Sequence, residues 1–148
     1  MKKLLGILCA GIALLMTACP PIDGSNLIGP AGGFVFYDKG SYSEGWRYME
    51  CAPENAGEGT WYRAKELCDE YSYGGYDDWF LPGIDELQNL LSDAFQNGFY
   101  WSSSQDQDSE NYAWGIQHGN RDGFGNISHP PVAYSKSSKY KVRPVRTF

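Results

Sequence analysis

Hydrophobic and polar residues alternate with a helical period in the middle of the chain. The apolar positions of this stretch recur three and four residues apart and would share one helix face: Ile84, Leu87, Leu90, Leu91, Ala94 and Phe95. The spacing predicts an amphipathic helix, with Gly83 as its N-cap and Gly98 as its stop. Asp85 and Glu86 fall in the first turn, where the positive end of the helix dipole favours carboxylates. We therefore interpret these two acids as helix-end residues and not as an acid–base pair.

A second helical stretch comes earlier, and short aromatic or β-branched runs surround both helices. Thr60 is a suitable N-cap for a helix that extends to about Tyr71, with Trp61 on its inward face. Strands are predicted at 34–37, 46–50, 78–81, 100–103, 112–117 and 141–148. Pro144 lacks a backbone donor, so the last strand should lie at a sheet edge or beside a bulge. Loops are predicted at 38–45, 52–59, 104–111 and 118–140.

The N-terminal residues differ from the rest of the chain and predict an export signal. Lys2 and Lys3 supply a charged start, and an uninterrupted apolar run follows from Leu4 to Met16. Because a membrane-spanning helix needs about 20 apolar residues, this run is too short to cross a bilayer comfortably. We therefore expect a secretory signal and not a transmembrane helix.

The end of this signal resembles the bacterial lipoprotein signal, in which a small residue precedes a cysteine that is lipidated. Here Ala18 precedes Cys19. We expect a signal peptide over residues 1–19 with Cys19 as the lipid attachment site, a tether over 20–29, and one domain over 30–148. An ordinary signal peptide, with Cys19 as a bystander, is the alternative.

The charge of the chain argues against nucleic acid as a partner. Removing Lys2 and Lys3 with the signal takes the formal net charge from −6 to −8, since the signal has no acidic residue. An acidic protein repels the phosphate backbone. From residue 130 to the end the basic residues have no acidic neighbour: Lys136, Lys139, Lys141, Arg143 and Arg146. This segment either takes an anionic partner, or it holds solvated lysines and arginines that are paired inside the fold.

Two cysteines remain in the predicted domain after the signal and the lipidated residue are set aside. Cys51 and Cys68 could form a disulfide in an exported protein, which would stabilise the fold by about 3 kcal/mol. They could equally be two buried thiols. A zinc site is not indicated, because the sequence has neither the paired CxxC spacing nor a nearby pair of histidines.

An acidic segment supplies the best candidate for ligand or metal binding. Asp106, Asp108, Glu110 and Asn111 place oxygen atoms close together in a loop, as calcium requires, although the glycine and distal glutamate of an EF-hand are absent. We assign no metal, and Asp106, Asp108 and Glu110 stay weak calcium candidates against the alternative of a solvated loop. The expected ligand contacts are these four residues together with His118, Asn120 and Arg121.

The sequence lacks a recognisable catalytic motif, so we predict a protein that is not an enzyme. Ser102 to Ser104 follow a predicted strand, but no G-x-S-x-G elbow surrounds them. His118 and His129 lie in predicted loops without a recognisable nucleophile. An oxidoreductase or hydrolase would require Cys51 and Cys68 to be free and reactive.

A series of short aromatic and glycine-bearing blocks resembles the Lcl C-terminal domain family, which is named after a Legionella collagen-like adhesin. The blocks that carry the resemblance occur in the same order over about residues 29–148: Gly29 to Tyr37, Gly45 to Tyr48, Gly75 to Trp79 with Leu81-Pro82, Glu86-Leu87, Tyr100 to Ser104, Ala113-Trp114 and Val142 to Arg146. Each block is weak alone, and the ordered set is specific. The collagen-like repeats of the namesake are absent from this chain.

The resemblance implies a fold and a location. The fold would be α+β and C-type-lectin-like, with two helices, small antiparallel sheets and long loops. The location would be the bacterial cell envelope, as a membrane-anchored protein that faces the periplasm or the cell exterior. The namesake is an adhesin that binds sulfated glycans. Because this chain lacks the collagen-like repeats, the resemblance does not imply multivalent adhesion.

These observations lead to two functions that we expect. The first is a non-enzymatic, lipid-anchored envelope protein whose lectin-like domain binds a carbohydrate or protein ligand. Aromatic residues make up 16% of the chain, which suits both a loop-rich core and a sugar-binding surface. The second is a structural or assembly component of the envelope with no small-molecule ligand. Sulfated or acidic glycans, if bound, would implicate Lys136, Lys139 and Lys141.

Overall fold

The computed structural model describes residues 27–90, 96–119 and 130–148. Within these residues the chain forms two helices and eight strands, in the order β1 (Phe34–Ser43), β2 (Trp46–Cys51), β3 (Gly57–Gly59), α1 (Trp61–Asp69), α2 (Ile84–Leu90), β4 (Gly98–Gln105), β5 (Tyr112–His118), β6 (Pro131–Ser135), β7 (Tyr140–Val142) and β8 (Val145–Thr147). The strands form two mostly antiparallel sheets. The predicted α+β class is confirmed, while the likeness to C-type lectins stays an expectation.

The two sheets meet where β7 passes into β8. The smaller sheet has the order β1-β2-β8, and the larger has the order β3-β7-β4-β5-β6. Neighbouring strands are antiparallel except β4 and β7, where Tyr100 lies opposite Lys141 in a parallel pairing. Only Arg143 and Pro144 separate β7 from β8. The end of the chain therefore joins both sheets.

β4 lies between two hydrophobic clusters and contributes a large aromatic residue to each. Tyr100 belongs to a cluster with α2 and the smaller sheet, whose buried members are Met49, Cys51, Leu87, Leu90, Tyr100, Ile116 and Val145. Trp101 belongs to a cluster with α1, whose buried members are Trp61, Ala64, Cys68, Leu81, Trp101, Ala113 and Val142. Because successive side chains of a strand point to opposite faces, these two residues show that the larger sheet is buried on both sides.

Both helices begin where the sequence predicts, and each start is capped. Thr60 Oγ1 accepts a hydrogen bond from the backbone N–H of Arg63 at the start of α1. At α2 the predicted cap is Gly83, which has no side chain to offer. Glu86 Oε2 accepts the N–H of Gly83 at 2.7 Å, and Ser104 Oγ on β4 accepts the N–H of Ile84 at 3.0 Å. A distant strand thus supplies the oxygen that a capping side chain would normally provide.

The smaller sheet is held to the loops above it by a buried ion pair. Glu50 on β2 has no exposed surface, and Arg146 on β8 is 4% exposed. Arg146 Nη1 donates to Glu50 Oε1 at 2.7 Å, and Glu50 also accepts the backbone N–H groups of Ala31 and Gly33 at 3.2 and 3.0 Å. A Cβ at Gly33 would collide with the carbonyl of Cys51, so only glycine allows this close approach.

Arg146 uses the rest of its guanidinium to hold a second loop. Its Nε and Nη2 donate to the two oxygens of Asp78 at 2.7 and 3.0 Å, and the guanidinium lies 3.9 Å from the centre of the Tyr76 ring. These hydrogen bonds hold the pKa of Asp78 below its usual value. The expectation that C-terminal arginines are paired inside the fold is confirmed for Arg146, and for Arg143, whose Nη1 donates to the carbonyl of Ala52 at 2.8 Å.

Three predicted elements have different boundaries from those expected. β1 continues to Ser43, so the predicted loop reduces to a turn at Glu44 and Gly45, both with positive φ. The segment 78–81 is not a strand and makes only a bridge between Phe80 and Val145. The expected strand at 141–148 divides at Pro144, because proline cannot donate to a ladder, and β8 lies at a sheet edge as predicted.

Two short strands lie in segments that we expected to be loops. β3 consists of Gly57, Glu58 and Gly59, and it pairs with β7 despite a composition that disfavours strands. β6 lies within the polar segment 118–140 and pairs with β5 over its whole length. Both segments are strands because they pair with a neighbouring strand, and local propensity does not predict such pairing. The end of the expected helix after Leu90, with Leu91, Ala94 and Phe95, lies outside the described residues.

Replacing Glu50 with alanine should destabilise the protein by about 3–5 kcal/mol, because Arg146 and two backbone N–H groups would lose a buried partner. The measurement is urea denaturation, read as a lower midpoint with an unchanged slope. The matched control is Glu58→Ala, since Glu58 is exposed on β3 and should change stability by about 0.5 kcal/mol or less. Equal losses in the two variants would refute a special role for the ion pair.

Candidate ligand-binding site

A cleft of about 470 Å³ lies where the start of α1 meets the end of β6. Its walls come from the cap and first turn of α1, the residue before β5, and the β6–β7 turn. The lining residues are Thr60, Tyr62, Asn111, Ser135, Lys136 and Ser137. Three segments that are far apart in the sequence therefore meet at one surface depression.

Backbone hydrogen bonds hold these three walls together. The N–H of Lys136 donates to the carbonyl of Asn111 at 2.9 Å, and the N–H of Trp61 donates to the carbonyl of Lys136 at 3.0 Å. Ser138 N–H donates to the carbonyl of Ser135 at 2.9 Å and closes the turn. The shape of the cleft is thus determined by main-chain contacts, which lowers the entropy cost of binding a ligand.

The cleft carries positive charge on an otherwise acidic chain. Lys136 is only 6% exposed, and its ammonium group donates to the carbonyl of Glu110 at 2.6 Å and lies 4.3 Å from the centre of the Trp61 ring. The ammonium group of Lys65 lies 3.5 Å from the same ring. Burial lowers the pKa of Lys65, and the nearby charge of Lys136 lowers it further. Two ammonium groups thus surround one indole ring beside the cleft.

The remaining groups of the cleft combine an aromatic ring with hydrogen-bonding side chains. Tyr62 is 60% exposed, and its ring packs edge-on against the buried Trp61 at 5.3 Å between centres. The hydroxyls of Ser135 and Ser137 lie 2.9 Å apart and hydrogen-bond to one another. The side chain of Asn111 can both donate and accept. These groups suit the binding of a polar ligand that also has an apolar face.

The acidic residues singled out from the sequence lie in the exposed turn between β4 and β5. Asp106 Oδ1 accepts the backbone N–H of Asp108 at 3.2 Å, which stabilises the turn itself. Glu110 contributes its carbonyl oxygen to Lys136. Across residues 27–90, 96–119 and 130–148, no group of three or more histidine, cysteine, aspartate or glutamate side chains could hold a metal ion. The calcium candidates are therefore not gathered into a site there.

The other expected ligand contacts are divided between the two ends of β5. Asn111 precedes β5 and lines the cleft, whereas His118 ends the strand, is only 4% exposed, and lies about 20 Å away by strand length. Asn120 and Arg121 lie outside the described residues, as does His129. Of the five expected contacts that the structure describes, Asp106, Asp108, Glu110, Asn111 and His118, only Asn111 lines the cleft.

The three lysines proposed for acidic glycans have different surroundings. Lys136 lines the cleft and is buried, so the expectation of solvated lysines is wrong for this residue. Lys141 donates to the carbonyl of Asn97 at 2.9 Å, and Lys139 is exposed. Tyr62 lines the cleft but is not among the contacts expected from the sequence, although the helical period that places Trp61 inward places Tyr62 on the polar face. The signal in the sequence is an aromatic residue at a position that the helical period assigns to the polar face.

A family model described as the Lcl C-terminal domain matches residues 43–146. The chain belongs to the Lcl C-terminal domain family. The match includes every residue that lines the cleft, so the cleft is part of the Lcl C-terminal domain. No curated protein matches the chain. In the part of the chain that the structure describes, the helices are too short and too polar to span a membrane.

The two cysteines of the domain are free thiols, so the disulfide that the sequence allowed is wrong and the alternative of two buried thiols is correct. Cys51 packs in the cluster with α2, and Cys68 packs in the cluster with α1. These clusters lie on opposite sides of the larger sheet, which separates the sulfur atoms. Burial raises the pKa of Cys51 to about 11 and that of Cys68 to about 12.

Both thiols should therefore resist alkylation in the native protein, because the reactive thiolate is suppressed and the sulfur is buried. Iodoacetamide labelling followed by mass spectrometry should find Cys51 and Cys68 unmodified in buffer at neutral pH and both modified in denaturant. Rapid labelling of either residue in the native state would contradict the burial and would reopen the idea of thiol chemistry.

Proposed function

We propose that this protein is a non-enzymatic, lipid-anchored component of the bacterial cell envelope whose Lcl C-terminal domain binds a carbohydrate ligand in the cleft. The observation that carries the proposal is the exposed ring of Tyr62 beside the hydrogen-bonding groups of Asn111, Ser135 and Ser137. A sugar ring has an apolar C–H face and a rim of hydroxyls, and the cleft offers a partner for each.

The positive charge at the cleft favours a sugar ligand that bears an acidic group. Lys136 lines the cleft, and the ammonium groups of Lys136 and Lys65 both lie over the ring of Trp61. A carboxylate or sulfate on the ligand would be attracted by these ammonium groups even though the protein as a whole is acidic. Nucleic acid remains disfavoured, because its many phosphates would meet the net negative charge of the chain.

A second candidate function is an assembly role in the envelope without a small ligand. The observation that favours it is the hairpin of β1 and β2, whose outer part is exposed and carries Tyr37 and Tyr42 with 39% and 71% of their surfaces accessible. Exposed tyrosines are frequent at protein interfaces. Glycan binding separates the two functions, since the assembly role needs none.

Replacing Tyr62 with alanine should weaken glycan binding about tenfold, equivalent to about 1.4 kcal/mol, because the exposed ring face is lost. The measurement is a printed array of neutral, sulfated and uronic-acid glycans, probed with the full-length chain in detergent, once with calcium and once with chelator. Tyr62→Phe should retain binding, and the matched control Tyr42→Ala should leave it unchanged, since Tyr42 lies on the β1–β2 hairpin.

The array also separates the alternatives. Binding that disappears in chelator would indicate a calcium-dependent site at Asp106 and Asp108 and would argue against binding in the cleft. Binding restricted to acidic glycans and weakened by salt would implicate Lys136, together with Lys139 and Lys141. If the wild-type protein binds none of the glycans on the array, the carbohydrate proposal is overturned and the assembly role is favoured.

The lipid anchor rests on Cys19, which lies outside the described residues. Acyl chains on this cysteine would hold the protein on a membrane at about 0.8 kcal/mol for each buried methylene. Cys19→Ser should abolish incorporation of labelled fatty acid and move the protein from the membrane fraction to the soluble fraction, whereas Cys51→Ser should do neither. A Cys19→Ser protein that stays in the membrane fraction would refute the anchor.

A further inference from the structure

Outside the cleft, two tyrosines are held side by side on a tight turn. Tyr73 and Tyr76 exchange both backbone hydrogen bonds, at 3.0 and 3.1 Å. Gly74 and Gly75 between them have φ angles of 64° and 85°, as a two-residue type I′ turn requires. Residues that pair across such a turn carry their side chains on the same side. We call these two residues the tyrosine platform; 39% of Tyr73 and 36% of Tyr76 are exposed.

The tyrosine platform is fixed from below. A Cβ at Gly74 would collide with the carbonyl of Ala31, so the turn lies directly against the loop that Glu50 holds. The ring of Tyr71 stacks on Tyr73 with 6.5 Å between centres and packs edge-on against Trp79, which is 3% exposed. Ligand binding to rings that are already positioned loses little side-chain entropy.

Arg146 connects the tyrosine platform to a carboxylate. Its guanidinium lies 3.9 Å from the centre of the Tyr76 ring and donates to both oxygens of Asp78. A carboxylate oxygen can accept two hydrogen bonds, so Asp78 keeps acceptor capacity on the side away from Arg146. The Asp78 side chain is 54% exposed, which leaves that side open to a ligand. Hydrogen bonds from Arg146 also keep the pKa of Asp78 low, so the group is an acceptor at neutral pH.

We propose that the tyrosine platform and Asp78 form a second carbohydrate subsite, which takes a neutral pyranose ring. The C–H face of the sugar would lie against the exposed tyrosine rings, and two neighbouring hydroxyls would donate to the oxygens of Asp78. The proposal rests on the proposed function for its ligand class, but it uses none of the residues of the cleft.

Local charge distinguishes this subsite from the cleft. Asp77 and Asp78 are both exposed next to Tyr76. The cations described nearby are buried: Arg146 donates to Glu50 and Asp78, and Arg143 donates to the carbonyl of Ala52. A sulfated or carboxylated sugar would be repelled here, while hydroxyl groups would be accepted. A lysine of a basic protein could also lie on tyrosine rings, but its ammonium group would offer the two oxygens of Asp78 a single point charge and not two separate donors.

The test measures neutral glycans with the full-length chain in detergent. Neutral oligosaccharides of glucose, mannose, galactose and N-acetylglucosamine are printed on an array, and binding sugars are then titrated in solution. Tyr73→Ala and Tyr76→Leu should each lower the affinity about tenfold, which corresponds to about 1.4 kcal/mol. Tyr76→Leu keeps apolar volume under Arg146 but removes the flat ring. Tyr76→Phe and the exposed control Tyr42→Ala should bind as the wild type does.

The outcomes separate this subsite from the cleft. Loss of neutral-glycan binding in Tyr73→Ala and Tyr76→Leu, with an unchanged urea midpoint, supports the subsite whether or not Tyr62→Ala also binds less. Loss in Tyr62→Ala alone overturns the subsite and leaves the cleft in place. A wild type that binds no glycan at all overturns both. Binding of a polylysine peptide that depends on Tyr76, without any neutral-glycan binding, would overturn the subsite in favour of a basic protein partner.

Discussion

The buried contact between Glu50 and Arg146 is the constraint on which the upper loops of this domain depend. Glu50 is fully buried and Arg146 is only 4% exposed, so each charge is stable only because the other is present and because further donors and acceptors complete both groups. Glu50 thereby orders the glycine-rich loop before β1, and Arg146 orders the loop that carries Tyr76 and Asp78. Loops without regular structure are thus positioned by two strands beneath them.

The high aromatic content has a structural explanation in β4. Tyr100 and Trp101 are adjacent and point to opposite faces, so one strand fills two hydrophobic clusters. Each ring also brings a polar atom inside, and these atoms are satisfied: the indole N–H of Trp101 donates to the carbonyl of Gly59, and the hydroxyl of Tyr100 donates to the carbonyl of Gln96. Large rings with one hydrogen bond each allow short strands to build a core.

The two surfaces proposed for ligands differ in construction and in charge. The cleft is assembled by main-chain hydrogen bonds around Lys136, and two ammonium groups lie over the ring of Trp61 beside it. The tyrosine platform depends on the side chain of Arg146 and has carboxylates beside its rings. A domain that recognises a branched or extended glycan gains from such a division, because acidic and neutral sugar units can each meet a matching surface.

The sequence by itself determined the local elements of this protein, because helix periodicity, caps and aromatic runs act between neighbouring residues. It located α1 and the start of α2, the strands β2, β4 and β5, and the family. Only the tertiary structure decided what depends on distant pairing: β3 and β6, the assignment of β7 and β8 to different sheets, and the burial of Cys51 and Cys68 on opposite sides of a sheet. The cleft belongs to this second group, since Tyr62, Asn111 and Lys136 meet only after the chain has folded.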